Sequence, residues 1–257
     1  MNHFTKFAIE VAQAAGQLLL DHHGRMQTLE FKLRTNFKTQ VDDLSDRLIR
    51  SAIIGNFPGH SILSEEQDAR LQDSEFTWVV DPLDGTVPYS YGTSDHFGVS
   101  IALLQGREPI LGVTFAPLRR ELYVAERGGG ASCNGRPLEV SRVDDLNRAL
   151  MAADCGKLER ESLIPYQQRL LAADGVVYVM SLCCASVSMA FAASGALDGY
   201  LAVKQEPWDI AAGALLVREA GGVVTAPEGR PWQFGDDCLL AAGPELHPQL
   251  VRLLSTG

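Results

Sequence analysis

Four acidic clusters have residue types that could act together on a ligand: Thr39-Gln40-Val41-Asp42, Ser64-Glu65-Glu66, Asp81-Pro82-Leu83-Asp84-Gly85-Thr86, and Trp208-Asp209. The third is the most specific. An apolar run, Trp78-Val79-Val80, leads into Asp81, and Pro82 argues against its continuation as a central strand. Asp81 and Asp84 then face each other across a tight turn. Carboxylates so spaced can converge on one or two hard divalent cations, which prefer oxygen ligands. Gly85 lets the backbone approach a ligand closely. Thr86 precedes Val87-Pro88, an acceptable helix start, where outward-pointing N–H groups favour a phosphate.

Taken singly, each cluster has an ordinary structural role. Asp-Pro-Leu-Asp-Gly is a good turn, Glu65-Glu66 a solvated surface pair, Asp42 a loop acid, and Asp209 an N-cap for a helix over 210–220. All four would have to coincide for those roles to suffice. The run Asp84-Gly85-Thr86 also invites comparison with the D-x-D-G-T nucleophile loop of haloacid dehalogenase-type phosphatases. Pro82 stands where that loop needs its first aspartate, which argues against covalent aspartyl-phosphate chemistry. Neither His60 nor His96 has the context of a catalytic triad.

These residues sit at the edges of expected elements. Apolar spacing predicts an amphipathic helix over 5–23, with Phe7, Val11, Ala14, Ala15 and Leu18 on one face. A short strand over 29–33, a polar loop over 34–40 and a second helix over 43–56 follow. Apolar runs at 61–64, 76–80, 97–104, 110–115 and 121–125, punctuated by Gly and Pro, predict an antiparallel sheet of hairpins. Beyond about residue 141 the rhythm changes. Buried strands are expected at 149–153, 176–180 and 197–202, with helices at 161–172, 185–194 and 209–220, the last closed by Gly221-Gly222. The fold class is thus α+β in a first half, 1–145, which carries Glu65, Asp81, Asp84 and Thr86. It is α/β in a second half, 146–257, which carries Asp209.

The 257 residues, 46% hydrophobic and 21% charged, describe an ordinary globular protein. No apolar run matches a signal peptide or a bilayer span. Five cysteines without a C-x-x-C pair, two of them the adjacent Cys183-Cys184, read as buried free thiols in a reducing, cytoplasmic setting. A formal net charge of −10 disfavours nucleic-acid binding. It suits a small anionic ligand only if cations sit between ligand and protein.

The chain resembles the inositol monophosphatase family, lithium-sensitive Mg²⁺-dependent phosphatases of small metabolites. The family's W-x-x-D-P-x-D-G-T is matched from Trp78 to Thr86. Its W-D-x-A-A-G…E-A-G-G is matched by Trp208, Asp209, Ala211, Ala212, Gly213, Glu219, Ala220, Gly221 and Gly222. Glu65 and Thr39–Asp42 resemble two further family motifs, and the order holds from about Ala14 to Gly243.

The resemblance implies a layered αβαβα fold like that of sugar phosphatases, and a homodimer. It implies a first Mg²⁺ on Glu65, Asp81 and the Leu83 carbonyl, and a second on Asp81, Asp84 and Asp209. A third, weaker Mg²⁺ would lean on Glu65. Thr86, paired with Asp42, would orient the attacking water, and the Gly85 and Thr86 N–H groups would hold phosphate. Substrate contacts fall to Asp84, Gly85, Thr86, Asp209, and Cys183 and Ala185 of the run Ser181–Ala185. The demands of the reaction agree: phosphate-monoester hydrolysis is extremely slow uncatalysed and asks chiefly for positioning and charge neutralisation.

The sequence departs from the family in three places. Val87-Pro88-Tyr89 replaces the usual residues after the D-G-T. Ala202 stands where inositol-specific members carry a glutamate that binds substrate hydroxyls. Lys204-Gln205-Glu206-Pro207 replaces another segment, and Lys204 could meet a second anionic group. The expected substrate is therefore an inositol, sugar or histidinol phosphate. Tyr89, Tyr91 or Trp232 could instead stack the adenine of a 3′-phosphoadenosine nucleotide. A regulatory protein of the same fold with little activity is the third reading.

Overall fold

The computed structural model describes residues 2–25, 29–33, 36–157 and 159–255. Helix α1 (His3–His22) starts at Asn2, whose Oδ1 accepts from the Thr5 amide at 2.9 Å. Strands β1 (Glu30–Leu33) and β2 (Asn36–Lys38) form an antiparallel hairpin, so the loop expected over 34–40 is partly strand. Arg34 and Thr35 themselves lie outside the described residues. Helix α2 (Gln40–Asn56) begins earlier than expected because Thr39 caps it. Thr39 Oγ1 accepts from the Val41 amide, and Asp42 Oδ2 accepts from the Thr39 amide at 2.8 Å. Asp42 is a buried residue in the first turn of a helix, not a loop acid.

Next come β3 (Ser61–Ser64), β4 (Phe76–Asp84), the short helix α3 (Thr86–Tyr91), β5 (Gly98–Gln105) and β6 (Glu108–Ala116). With β7 (Glu121–Glu126), β8 (Gly130–Cys133) and β9 (Arg136–Pro137), these strands form a seven-stranded sheet in sequence order. The sheet is mixed rather than wholly antiparallel, because β3 and β4 pair in parallel. Strand β4 also runs on through Pro82. Its register against β5 shifts between Asp81 and Asp84, an irregularity at the point where proline has no N–H to give. Ser45 Oγ, on α2, donates to the Pro82 carbonyl at 2.8 Å and fixes that bend.

The second half supplies β10 (Leu150–Cys155), α4 (Ile164–Leu170), β11 (Tyr178–Met180), α5 (Ala185–Ala193) and β12 (Gly199–Val203). Helix α6 (Pro207–Glu219), β13 (Val223–Thr225), β14 (Leu239–Ala242) and α7 (His247–Ser255) complete it. The strand order is β11-β10-β12-β14-β13. Strand β10 is parallel to both neighbours, and β14 is antiparallel to both of its own. Strand β11, expected to be buried, is an edge strand with one neighbour, which leaves Tyr178 67% exposed. The helix expected over 161–172 is shorter, a 3₁₀ turn at Arg160–Leu163 leading into α4.

Packing stacks these elements into αβαβα layers. Helices α1 and α2 bury Phe7, Val11, Ala15, Ile49 and Ile53 against one face of the seven-stranded sheet. Helices α5 and α6 lie between the sheets, where Met189, Ile210 and Leu216 meet Tyr123, Ala125 and Tyr200. Helices α4 and α7 cover the outer face of the second sheet through Leu170, Leu250 and Leu254. The cores on either side of α5 and α6 hold the ends of β4, β10 and α6 at one common cleft.

Candidate metal-assisted active site

Glu65 follows β3 and extends its pairing, its amide donating to Val80 O. Asp81 lies near the end of β4, 1% exposed, and its Oδ1 accepts from the Leu83 amide at 3.0 Å. Asp209 sits in the first turn of α6, where its Oδ2 accepts from the Glu206 amide at 3.0 Å. Glu206, not Asp209, is the N-cap of that helix. Glu65, Asp81 and Asp209 each offer a carboxylate oxygen, and these oxygens lie within 4.8 Å of one another.

Asp84 lines the same cavity but turns toward α5. Its Oδ2 accepts from the Ser186 amide at 2.6 Å and from Cys184 Sγ at 3.2 Å. Leu83 O accepts from Thr86 Oγ1 at 3.2 Å, and the same hydroxyl stands 3.5 Å from Asp42 Oδ1. One hydroxyl proton serves only one of these acceptors at a time. Gly85 has φ +83°, and a side chain there would strike the His96 carbonyl at 2.6 Å, so glycine alone fits. Trp78, by contrast, is a core residue. It is fully buried, and its Nε1 donates to His60 Nδ1 at 3.1 Å.

Burial pushes the carboxyls of Asp81 and Asp209 well above the usual carboxylate range, and their acidic neighbours add to it. Burial raises Asp84 too, against hydrogen bonds from Ser186 and Cys184 that favour its ionised form. Asp42 is pushed by burial to about 7 despite two bonds from Thr39. Concentrated, poorly solvated negative charge on hard oxygen donors is the donor set that Mg²⁺ or another hard cation takes. The residues present fit such an ion.

The cavity that these residues line measures about 350 Å³. Gly85, Thr86, Cys183 and Ala185 line it as well, so every expected substrate-contacting residue faces one space. Cys183 is exposed rather than a buried thiol, with φ +55°, while Cys184 behind it is buried. All five cysteines are free.

The opposite wall comes from residues that carry no motif. Asp154, at the end of β10, is 5% exposed and accepts from Ser181 Oγ at 2.5 Å and from the Cys183 amide at 3.3 Å. Lys157 donates from Nζ to Glu65 Oε1 at 2.5 Å. Burial would lower the Lys157 pKa, but the Glu65 charge outweighs it and raises the ammonium above its ordinary value. Arg160 also faces the cavity. The available signal was an acid and a lysine at the carboxyl end of a parallel strand, where open α/β sheets place their ligands.

Other expectations change. Lys204 pairs with Asp237 at 2.9 Å and does not line the cavity; Gln205 does. Ala202 is fully buried in β12 beside Tyr200 and does not line the cavity, so a glutamate placed there would be buried in the core. Tyr89 and Trp232 are core residues, with Tyr89 Oη donating to Leu19 O, and Tyr91 faces outward. None of the three lines the cavity; Phe37 is its aromatic residue. Among the described residues no helix is long and apolar enough to cross a membrane.

The sequence profile of the inositol monophosphatase family matches residues 1–256. A Pasteurella multocida protein named Nus factor SuhB is 33% identical over 98% of this chain and 96% of its own length. An inositol-1-monophosphatase of Rhizobium meliloti is 35% identical over 88% of this chain and 87% of its own. Among solved structures, the extragenic suppressor protein suhB of Bartonella henselae superposes with a TM-score of 0.94 at 30% identity, covering all of both chains.

Proposed function

This chain belongs to the inositol monophosphatase family, and from that premise we propose that it is a Mg²⁺-dependent phosphomonoesterase of a small phosphorylated metabolite. The observation that carries this reading is the convergence of Glu65, Asp81 and Asp209 oxygens within 4.8 Å, beside Asp84, in one cavity. When bound, paired divalent cations lower the pKa of a coordinated water from about 15.7 toward roughly 7 and neutralise the phosphate oxygens. Glu65, Asp81 and the Leu83 carbonyl would hold one ion, and Asp81, Asp84 and Asp209 the second.

The chain's own groups then do the positioning. Thr86 Oγ1, between Leu83 O and Asp42 Oδ1, orients the attacking water, and Asp42 draws the hydroxyl proton away from the nucleophile side. The Gly85 and Thr86 N–H groups would hold the phosphate, and glycine at position 85 lets the chain turn tightly against the His96 carbonyl. Cys183 and Ala185 border the alcohol part of the substrate. An inositol, sugar or histidinol phosphate suits this space. The 3′-phosphoadenosine reading is the weaker, since the aromatics invoked to stack an adenine do not line the cavity. Our reading includes a cytoplasmic homodimer, as the family resemblance implies.

A regulatory role is the second reading, favoured by the relative named a Nus factor. The intact acidic cluster favours the enzyme. A panel of phosphorylated metabolites at saturating Mg²⁺, followed by phosphate release, separates the two. The phosphatase reading expects at least one ester turned over far above an Asp81→Asn background; none above it favours the regulatory role.

A further inference from the structure

The segment leaving β10 is built to carry a positive charge into the acidic cluster. The Gly156 amide donates to Val203 O at 2.9 Å, which seats the chain against the end of β12. A Cβ at position 156 would lie 1.7 Å from the Lys204 carbonyl, so only glycine permits this approach. The next residue, Lys157, extends across the cavity to Glu65 on the other side of the site. Its ammonium contacts Oε1 at 2.5 Å, while the Glu65 side chain is only 10% exposed. A cation bound at that carboxylate would sit beside the ammonium's like charge, so ion and ammonium repel and each weakens the other's hold on Glu65. The Lys157 side chain is 42% exposed, so it has solvent-side room to move into.

Resting on the phosphatase reading above, we propose that Lys157 is a resident counter-ion of the carboxylate cluster that competes with divalent cations for Glu65. It thereby sets the affinity of the weakest cation position. The charge balance supports this role. The Lys157 ammonium contacts Glu65 in the cavity that Asp81 and Asp209 also line, so its charge stands among all three carboxylates. In the cation-free protein Lys157 takes part of the load that divalent ions carry when present. When they bind, the displaced ammonium still lines the cavity wall.

Calorimetric titration of the whole protein with Mg²⁺ tests the proposal, with Lys157→Met and Lys157→Arg run beside wild type. The Met variant is expected to bind its weakest Mg²⁺ about tenfold more tightly, or to take an additional equivalent, a scale between that of a fully exposed charge pair and that of a close pair shielded from water. The Arg variant, which keeps the charge, should follow wild type. In a Glu65→Gln background the Met substitution should no longer change the isotherm, because the contested oxygen charge is gone. Should Lys157→Met fail to fold by circular dichroism, Lys157→Gln replaces it in the same titration. An isotherm for the neutral variant that superimposes on wild type, or shows weaker binding, overturns the proposal while leaving the phosphatase reading intact. A wild-type protein that binds no Mg²⁺ overturns both.

Discussion

Asp81 and Asp209 place carboxylate oxygens within 4.8 Å of each other from opposite halves of the chain, one at the end of β4 and one in the first turn of α6. Glu65 completes the trio from the residue just after β3. Nothing but the packing of α6 between two sheets brings them together, and their mutual repulsion is held in place by the cores around them.

That repulsion has a signature in pH. Asp81, Asp84 and Asp209 have folded-state pKa values raised above the ordinary carboxylate value, so the cation-free folded protein binds more protons there than the unfolded chain does. Stability from these groups therefore falls as pH rises above about 4 and is regained on acidification. Divalent cations reverse the sign by favouring the ionised form. The gain in Tm on adding Mg²⁺ is expected to be larger at pH 8 than at pH 6. Asp209→Asn, which removes one of the repelling charges, should raise the Tm of the cation-free protein while abolishing most of the Mg²⁺ gain. Scanning calorimetry with chelator and with Mg²⁺ at both pH values reads all of this. An equal gain at both pH values would contradict it.

Thr86 and Asp42 are predicted to act on turnover and not on cation binding. Thr86→Ala should cost roughly 10²–10⁴-fold in kcat, the usual reach of positioned proton transfer, with an unchanged Mg²⁺ isotherm. Asp42, pushed to about 7, accepts fully from Thr86 only when ionised, so kcat should rise with pH through that region. Asp42→Asn should flatten that limb. The asparagine oxygen can still accept from Thr39 at the start of α2, so the helix should stay intact. Lost Mg²⁺ affinity in Thr86→Ala would mean the role is misassigned.

Lithium offers a test of geometry. The family resemblance leads us to expect inhibition by Li⁺ at millimolar concentrations, where equal K⁺ leaves activity unchanged. The expected inhibition weakens when Asp209 is replaced by asparagine, in assays slow enough to detect residual turnover. Insensitivity to Li⁺ would show that the Asp81, Asp84 and Asp209 arrangement departs from that of lithium-sensitive relatives.

Much of this site was readable before folding because its acids sit in short contiguous runs. Asp81, Leu83, Asp84, Gly85 and Thr86 fall within a single turn, and Asp209 follows a tryptophan at a helix start. What the sequence hid depends on long-range packing. Lys157 looks like any loop lysine until β10 is laid beside β12 and the cavity closes against Glu65. Asp84 looks equivalent to Asp81, yet the Ser186 amide at the start of α5 turns one of its oxygens away from the trio. Pro82 reads as a strand terminator, but a register shift and Ser45 carry β4 past it. Ala202 reads as an open position in the substrate pocket and is instead sealed in the sheet.

We propose that this carboxylate cluster holds the cations on which phosphate-monoester hydrolysis depends. The most direct measurement is phosphate release from an aryl phosphate by the purified chain after exhaustive chelation, then after Mg²⁺ is restored, with Asp81→Asn as control. Turnover should vanish in chelator and return with Mg²⁺, and the variant should show no recovery despite an unchanged circular dichroism spectrum. Turnover that survives chelation, or an Asp81→Asn protein as active as wild type, would contradict it.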